Sequence, residues 1–372
     1  MKKILTIGGA TQDIYLDQEG ADCMSIMKKD SETRYMLFKS GAKIEVKKLL
    51  YFTGGGATNS AVSLKRQGFD VSCFCKIGND KAGEFILKDL EKENINISKI
   101  LKTDKEQSGT SFIINSLRRE RTIFAYRGAN GYLKKEDIPF DRIKESDQIY
   151  ITSLSHDSAN LLPEITSIAK ENNTKVAINP GISQLAEGSP ILRDSLKNID
   201  ILIMNSDEAK SFMITLIESD ENYKETLKSS RNFNQNNKKI KTANLLESPI
   251  LYENYYFSIR KFFKEVIKMG PQTVVITDGE NGVYVANNNN IFFHPSIETE
   301  IEDTLGAGDS FGSCFVGSLL SGKSIEQSLK RGIINASSVI SMMGAKPGLL
   351  TNEELEKREK KLEKNLTQKF NL

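Results

Sequence analysis

Glu302-Asp303-Thr304-Leu305-Gly306-Ala307-Gly308-Asp309 leads into a small-residue, apolar run, Ser310 to Leu320. That run has the composition of a buried helix despite its glycines. Gly306 and Gly308 are therefore expected at or just before a helix N-terminus. Backbone N–H groups there have no intrahelical partner and carry the positive end of the helix dipole. With no side chain in the way, they are able to close around a phosphoryl group. Asp309 stands at the same place. Phosphoryl transfer needs a hydroxyl held in line, its proton accepted and the moving charge stabilised. A carboxylate beside an anion hole suits the second task, but the same carboxylate reads equally well as a helix cap. Spacing leaves both readings open.

The rest of the chain narrows the setting. Its 372 residues are 38% hydrophobic and 27% charged, enough for a large core in one α/β domain. A formal charge of +2 argues against a strong field for nucleic acid or an anionic membrane surface. No apolar run is long enough to span a bilayer. The N-terminal apolar stretch stops at Gly8 and Gly9, too soon for a signal peptide, so a buried first strand and a cytoplasmic protein are expected. Cys23, Cys73, Cys75 and Cys314 form no CxxC pair, and the chain has only two histidines, so reduced structural thiols are expected rather than a zinc site.

Strands are expected at 4–7, 71–77, 110–115, 121–126, 148–153, 175–179, 199–205, 273–277 and 282–285. Helices are expected at 57–67, 81–93, 161–172, 191–196, 255–269, 310–320 and 325–340. The regular alternation after Gly128 argues for a mostly parallel sheet with helices on both faces. Ligands in such folds bind beyond the carboxyl ends of the strands. Residues 13–52 and 109–127 read as two β-rich excursions. Residues 215–254, rich in Asn, Lys, Ser and Glu, read as a polar surface insertion. The charged end, 351–372, reads as a helical tail.

Asp303-Thr-Leu-Gly-Ala-Gly-Asp309 followed by Ser-Phe resembles the C-terminal signature of the PfkB/ribokinase family of carbohydrate and nucleoside kinases. Leu305 occupies its variable position. The resemblance implies a ribokinase-like three-layer α/β/α sandwich over 1–350, with a central sheet of about eight strands and a small β-sheet lid from the two excursions. It implies Asp309 as catalytic base and the Gly306, Ala307 and Gly308 amides as the anion hole. Further matches follow in family order. Gly8-Gly-Ala-Thr-Gln-Asp13 makes Asp13 a ligand of substrate hydroxyls. Gly54-Gly-Gly-Ala-Thr-Asn59 places Gly54, Gly55 and Asn59 around the acceptor, and Gly78-Asn-Asp-Lys-Ala-Gly83 follows as a mainly structural run. Asn205-Ser-Asp-Glu208 looks like the element that positions magnesium through water and phosphate, although Asn205 as a helix cap is as good from spacing. Thr277, Gly279 and Gly282, with Thr304 and Asn335, would lie along the nucleotide.

The implied cofactors are ATP and Mg2+, with K+ near the carbonyls of Asp303 and Gly344 as a further option. Arg127 is a candidate clamp for an acidic substrate group, or else a surface ion-pair partner. Trp is absent and few aromatics flank the lid motifs, which favours a sugar or sugar derivative over a nucleoside. A nucleoside kinase and a sugar-binding regulator of weak activity are the alternatives. A dinucleotide-dependent oxidoreductase lacks its Gly-x-Gly-x-x-Gly after the first strand. Nucleic acid and membrane are not expected partners, and a homodimer through the lid is.

Overall fold

The computed structural model describes residues 1–18, 22–28, 31–115, 121–186, 190–219, 244–247, 250–252, 255–362 and 366–372. In chain order its strands are β1 (Lys3–Ile7), β2 (Thr11–Gln18), β3 (Asp22–Lys28), β4 (Ser31–Leu37), β5 (Val46–Gly54), β6 (Asp70–Phe74), β7 (Lys76–Gly78), β8 (Leu101–Thr103), β9 (Gly109–Asn115) and β10 (Arg121–Tyr126). There follow β11 (Gln148–Ile151), β12 (Lys175–Ile178), β13 (Ile201–Asn205), β14 (Ile250–Tyr252), β15 (Tyr255–Phe257), β16 (Thr273–Thr277), β17 (Val283–Ala286), β18 (Asn290–His294) and β19 (Gln368–Asn371).

Nine of these form the central sheet, in the order β19-β18-β17-β16-β13-β12-β11-β1-β6. The strands from β6 to β16 pair in parallel, and β17, β18 and β19 add an antiparallel edge. The parallel strands are apolar at nearly every position because both faces are covered. Alternate residues of one strand enter different cores. Ile149 and Ile151 face the helices Leu162–Glu171, Ser206–Ser219 and Ile259–Lys268. Tyr150 between them faces Phe311 and Phe315 of the helix Ala307–Leu320. This is the three-layer architecture expected.

A separate four-stranded sheet, in the order β10-β9-β2-β5, is built from both β-rich excursions. β2 enters it straight from the Gly8-Gly9 turn after β1, and β5 leaves it into the Gly54-Gly55 turn and the helix Gly56–Arg66. Both turns therefore lie where the small sheet meets the large one.

Four local expectations change. The strand expected over 71–77 breaks at Cys75, because Lys76–Gly78 leaves the central sheet to pair with β8. The helix expected from Tyr255 begins at Ile259, where Ser258 Oγ accepts from the Lys261 N–H at 3.2 Å, and Tyr255–Phe257 pairs with β14. The insertion cannot begin at 215, because Leu216 and Ile217 are buried in the core as the end of the helix Ser206–Ser219. Most of the insertion, 220–243, lies outside the described residues. The charged tail is helical only over Asn352–Lys361; Gln368–Asn371 then joins the sheet beside β18, because Phe370 and Leu372 have core surface to cover.

The helix that opens at the glycine signature is held by its aromatic side chains. Phe311 and Phe315 stack with ring centroids 5.9 Å apart, and Phe315 is fully buried. Phe315→Ala is expected to cost about 3–5 kcal/mol of stability, read from equilibrium denaturation.

Candidate active site

Gly306 is the cap of the helix Ala307–Leu320 and is left-handed, at φ 78°. A Cβ there would lie 2.5 Å from the Ala345 Cβ, so neither conformation nor space admits another residue. Helix geometry then begins at Ala307, leaving the Gly308 and Asp309 N–H groups without intrahelical partners. Asp309 is the third residue of the helix and makes no capping hydrogen bond, so the cap reading does not hold.

The Asp309 carboxylate, partly exposed, accepts a hydrogen bond from Asn59 Nδ2 at 2.8 Å. Asn59 belongs to the first turn of the helix Gly56–Arg66, and its Oδ1 is buried with no partner among the described residues. Asp13, on β2, completes the group. It is buried and accepts from Thr11 Oγ1 at 2.9 Å. The Gly54-Gly55 turn lies against it so closely that a Cβ on Gly54 would fall 2.0 Å from Asp13 Oδ2. Burial pushes both carboxyls up from the ordinary aspartate value. Hydrogen bonds from Asn59 to Asp309, and from Ser111 and Thr11 to Asp13, pull back. The Asp13 carboxylate adds to the upward push on Asp309.

On the other side of Gly306–Asp309 lies a cleft of about 200 Å³, lined by Asn179, Asn205, Glu208, Thr277 and Thr304 as well. It sits beyond the carboxyl ends of β12, β13 and β16, where the loops of a parallel sheet gather. Asn205 and Glu208 bond reciprocally: the Asn205 N–H donates to Glu208 Oε2 and the Glu208 N–H to Asn205 Oδ1, each at 2.8 Å. The pair thus caps its helix and borders the cleft at once. Burial pushes the Glu208 carboxyl up, against the Asn205 N–H that pulls it down. One carboxylate and one amide oxygen suit a hard cation that keeps much of its water, as magnesium does. Among the described residues no cluster of three or more His, Cys, Asp or Glu could hold a metal by itself.

Other expected site residues fall elsewhere. Asn335 is fully buried and spent within the protein: Nδ2 donates to the Ser310 carbonyl at 2.9 Å, and Oδ1 accepts from the Leu350 N–H at 3.0 Å. It ties two helices and a loop together and has no free group for a nucleotide. Gly279 and Gly282 shape the turn between β16 and β17, with positive φ, and do not line the cleft. Arg127 is exposed, without a hydrogen bond or ion pair to any site residue. Three residues on, Asn130 is buried, and its amide clamps Ala10 through two bonds of 2.9 Å.

Sequence reasoning missed Arg121 and Tyr15, whose positions only pairing across the small sheet reveals. Arg121, on β10, reaches Thr304 Oγ1 and stands 3.6 Å from Asp303 Oδ1. Tyr15, on β2, donates its hydroxyl to Asp303 Oδ2. Asp303 also accepts from the N–H groups of Gly344, at 3.1 Å, and Leu305, at 2.9 Å.

The chain matches the family model for pfkB family carbohydrate kinases over residues 1–238 and 258–352. It is 27% identical over 272 residues to a ribokinase of Staphylococcus aureus, covering 72% of this chain and 75% of that protein. Its fold is shared with the Arabidopsis thaliana ribokinase complexed with ribose and ATP, at a TM-score of 0.71 and 19% identity over 96% of this chain and 99% of that one. It is shared too with the Burkholderia thailandensis nucleoside kinase in complex with inosine, at 0.68 and 15% identity over 96% and 98%. The family model covers most of the chain, and with two carboxylates set beside a helix N-terminus on this fold it identifies the chain as a member of the pfkB family of carbohydrate kinases.

Proposed function

We propose that this protein transfers the γ-phosphoryl group of ATP to a hydroxyl of a sugar or sugar derivative, with Asp309 as the base. The carrying observation is the Asp309 carboxylate, held by Asn59 at 2.8 Å and rooted in the same helix turn as the unpartnered Gly308 N–H. Asp13 and the orphaned Asn59 Oδ1 accept hydrogen bonds from acceptor hydroxyls and fix one of them near Asp309. Asp309 takes the proton of that hydroxyl. The Gly306–Gly308 segment directs its amides at the negative charge that develops on the moving group. Asn205 and Glu208 would hold magnesium through water, and the ion would supply positive charge against the phosphates of ATP. Thr277 and Thr304 border the same phosphates. Arg121 donates to Thr304 at the border of the cleft, and it takes the role first assigned to Arg127.

The small sheet serves as the lid, and its outer face carries a homodimer contact. Strand register sets Tyr51, Ile14, Phe112 and Phe124 side by side across all four strands. Tyr51, Phe112 and Phe124 are exposed there, and an apolar row of this kind marks an interaction surface. Sedimentation velocity is expected to show a dimer for the wild type and a monomer for Tyr51→Glu/Phe124→Glu.

Asp309→Asn is expected to lower kcat by about 10³-fold or more in a coupled assay over D-ribose, other sugars, sugar phosphates and nucleosides. MgATP affinity should persist, and turnover near the wild-type rate would refute the assignment. The same substitution should raise thermal stability. The folded Asp309 carboxyl titrates above its unfolded value, so its ionisation disfavours the fold increasingly as pH rises through that interval, and the penalty is complete above the folded value. The base must be ionised to act, so activity should fall as pH drops through this raised value. Asn59→Ala removes the hydrogen bond that pulls it down and should move the acid limb of kcat/KM to higher pH still. A limb in place or shifted to lower pH would contradict the coupling.

A further inference from the structure

Lys346 is buried, and its ammonium is engaged at both hands: Nζ lies 2.9 Å from Asp89 Oδ2 and donates to Thr53 Oγ1 at 2.7 Å. Thr53 Oγ1 in turn donates to Asp89 Oδ2, closing a ring of three side chains. They come from three separate places: the end of β5, the helix Lys81–Lys92 and the loop after the helix Ile325–Ile340. A buried ammonium is costly, and such a group is held only with partners or a task.

The location suggests the task. Thr53 immediately precedes Gly54, and the Gly54-Gly55 turn rests directly on Asp13. The two residues before Lys346 touch the opposite side of the site. The Gly344 N–H donates to Asp303, and Ala345 fills the space that keeps Gly306 a glycine. Arg66 fastens the same loop from outside, donating to the carbonyls of Lys346 and Leu349 at 3.3 and 2.8 Å while pairing with Glu93. Gly344-Ala345-Lys346 thus joins the anion hole to the acceptor turn within three residues.

We infer that Lys346 is a positioning residue for the acceptor side of the transfer site: through Thr53 it fixes the Gly54-Gly55 turn against Asp13, and its buried charge acts on Asp13 and Asp309. The roles of those two carboxylates rest on the function proposed above. The charged and titratable groups that face Lys346 are Asp89 from its helix, Cys73 from β6, Cys75 just after it, Asp13 from β2 and Asp309 from the helix Ala307–Leu320. Those that face Asp309 are Asp13, Lys346, Glu208 and Tyr150, with Asn59 hydrogen-bonded to it. Lys346 draws both Asp13 and Asp309 downward, opposing the effect of their burial. Burial lowers the Lys346 ammonium itself, and Asp89 holds it up.

Carbon-13 NMR of protein labelled at the aspartate carboxyls follows both titrations without any acceptor, with Asp13→Asn and Asp309→Asn identifying the resonances. In Lys346→Met both midpoints should move to higher pH by about half a unit to one unit. A lysine that merely holds the loop would leave them in place. Calorimetric titration with D-ribose and with inosine reads the positioning role. The affinity of whichever probe binds the wild type should fall about tenfold in Lys346→Met and in Thr53→Val, with MgATP affinity within about twofold of wild type. Thr53→Val leaves both charges in place, so its carboxyl midpoints should not move. Unmoved midpoints in folded Lys346→Met, or unchanged probe affinity in Thr53→Val, would overturn the inference. Lys346→Gln stands in if the methionine variant fails to fold. A wild type that binds neither probe and phosphorylates no acceptor would instead defeat the functional reading, and the NMR titration would still decide what Lys346 does.

Discussion

The left-handed turn at Gly306 is the constraint on which the site depends. A helix started one residue earlier would consume the Asp309 amide that now stands free, and a side chain at 306 would collide with Ala345. The turn orients the start of the helix Ala307–Leu320, and the stacked Phe311 and Phe315 fix its body on the sheet. Asp309 inherits its position from both. Its carboxylate is set in the first turn of a helix that is anchored two turns further on.

That arrangement carries an electrostatic cost. Asp13 is buried and Asp309 partly so, and a neighbouring carboxylate pushes on each, Asp303 on Asp13 and Asp13 on Asp309, so each resists ionisation. Short hydrogen bonds from Asn59, Thr11 and Ser111, and the buried ammonium of Lys346, work in the opposite sense. A carboxyl raised above the ordinary aspartate value is a stronger proton acceptor once ionised. The same tension is a source of local instability, as is common where binding chemistry is built into a folded core.

Asp303 links this chemistry to the small sheet. Tyr15 and Arg121 come from two strands of that sheet and converge on a carboxylate that also receives the Leu305 and Gly344 amides. Movement of the small sheet would therefore be felt at the first residue of the glycine signature. Thr304, which takes a hydrogen bond from Arg121 and lines the cleft, lies on the same path.

The order of strands and helices and the two β-rich excursions were legible in the sequence, and the resemblance to the family signatures singled out Asp13, Gly54, Asn59, Asn205, Glu208 and Asp309. Each belongs to a local pattern of apolar periodicity, or of glycine beside a polar residue, that chain neighbours determine. Boundaries failed where a partner strand made the choice, as at Cys75, at Tyr255–Phe257 and at Gln368–Asn371. Function failed in the same way. Asn335 looks like a free polar side chain on a helix, yet packing consumes it as a cross-link. Arg127 carries the conspicuous charge after a lid strand, yet cross-strand register delivers Arg121 to the cleft instead. Lys346 is one of many lysines in the chain, and only burial between Thr53 and Asp89 distinguishes it. Sequence alone determined which elements form and which local motifs border the site. Tertiary structure decided which charges meet there, because those meetings join residues that are hundreds of positions apart and carry no local signal.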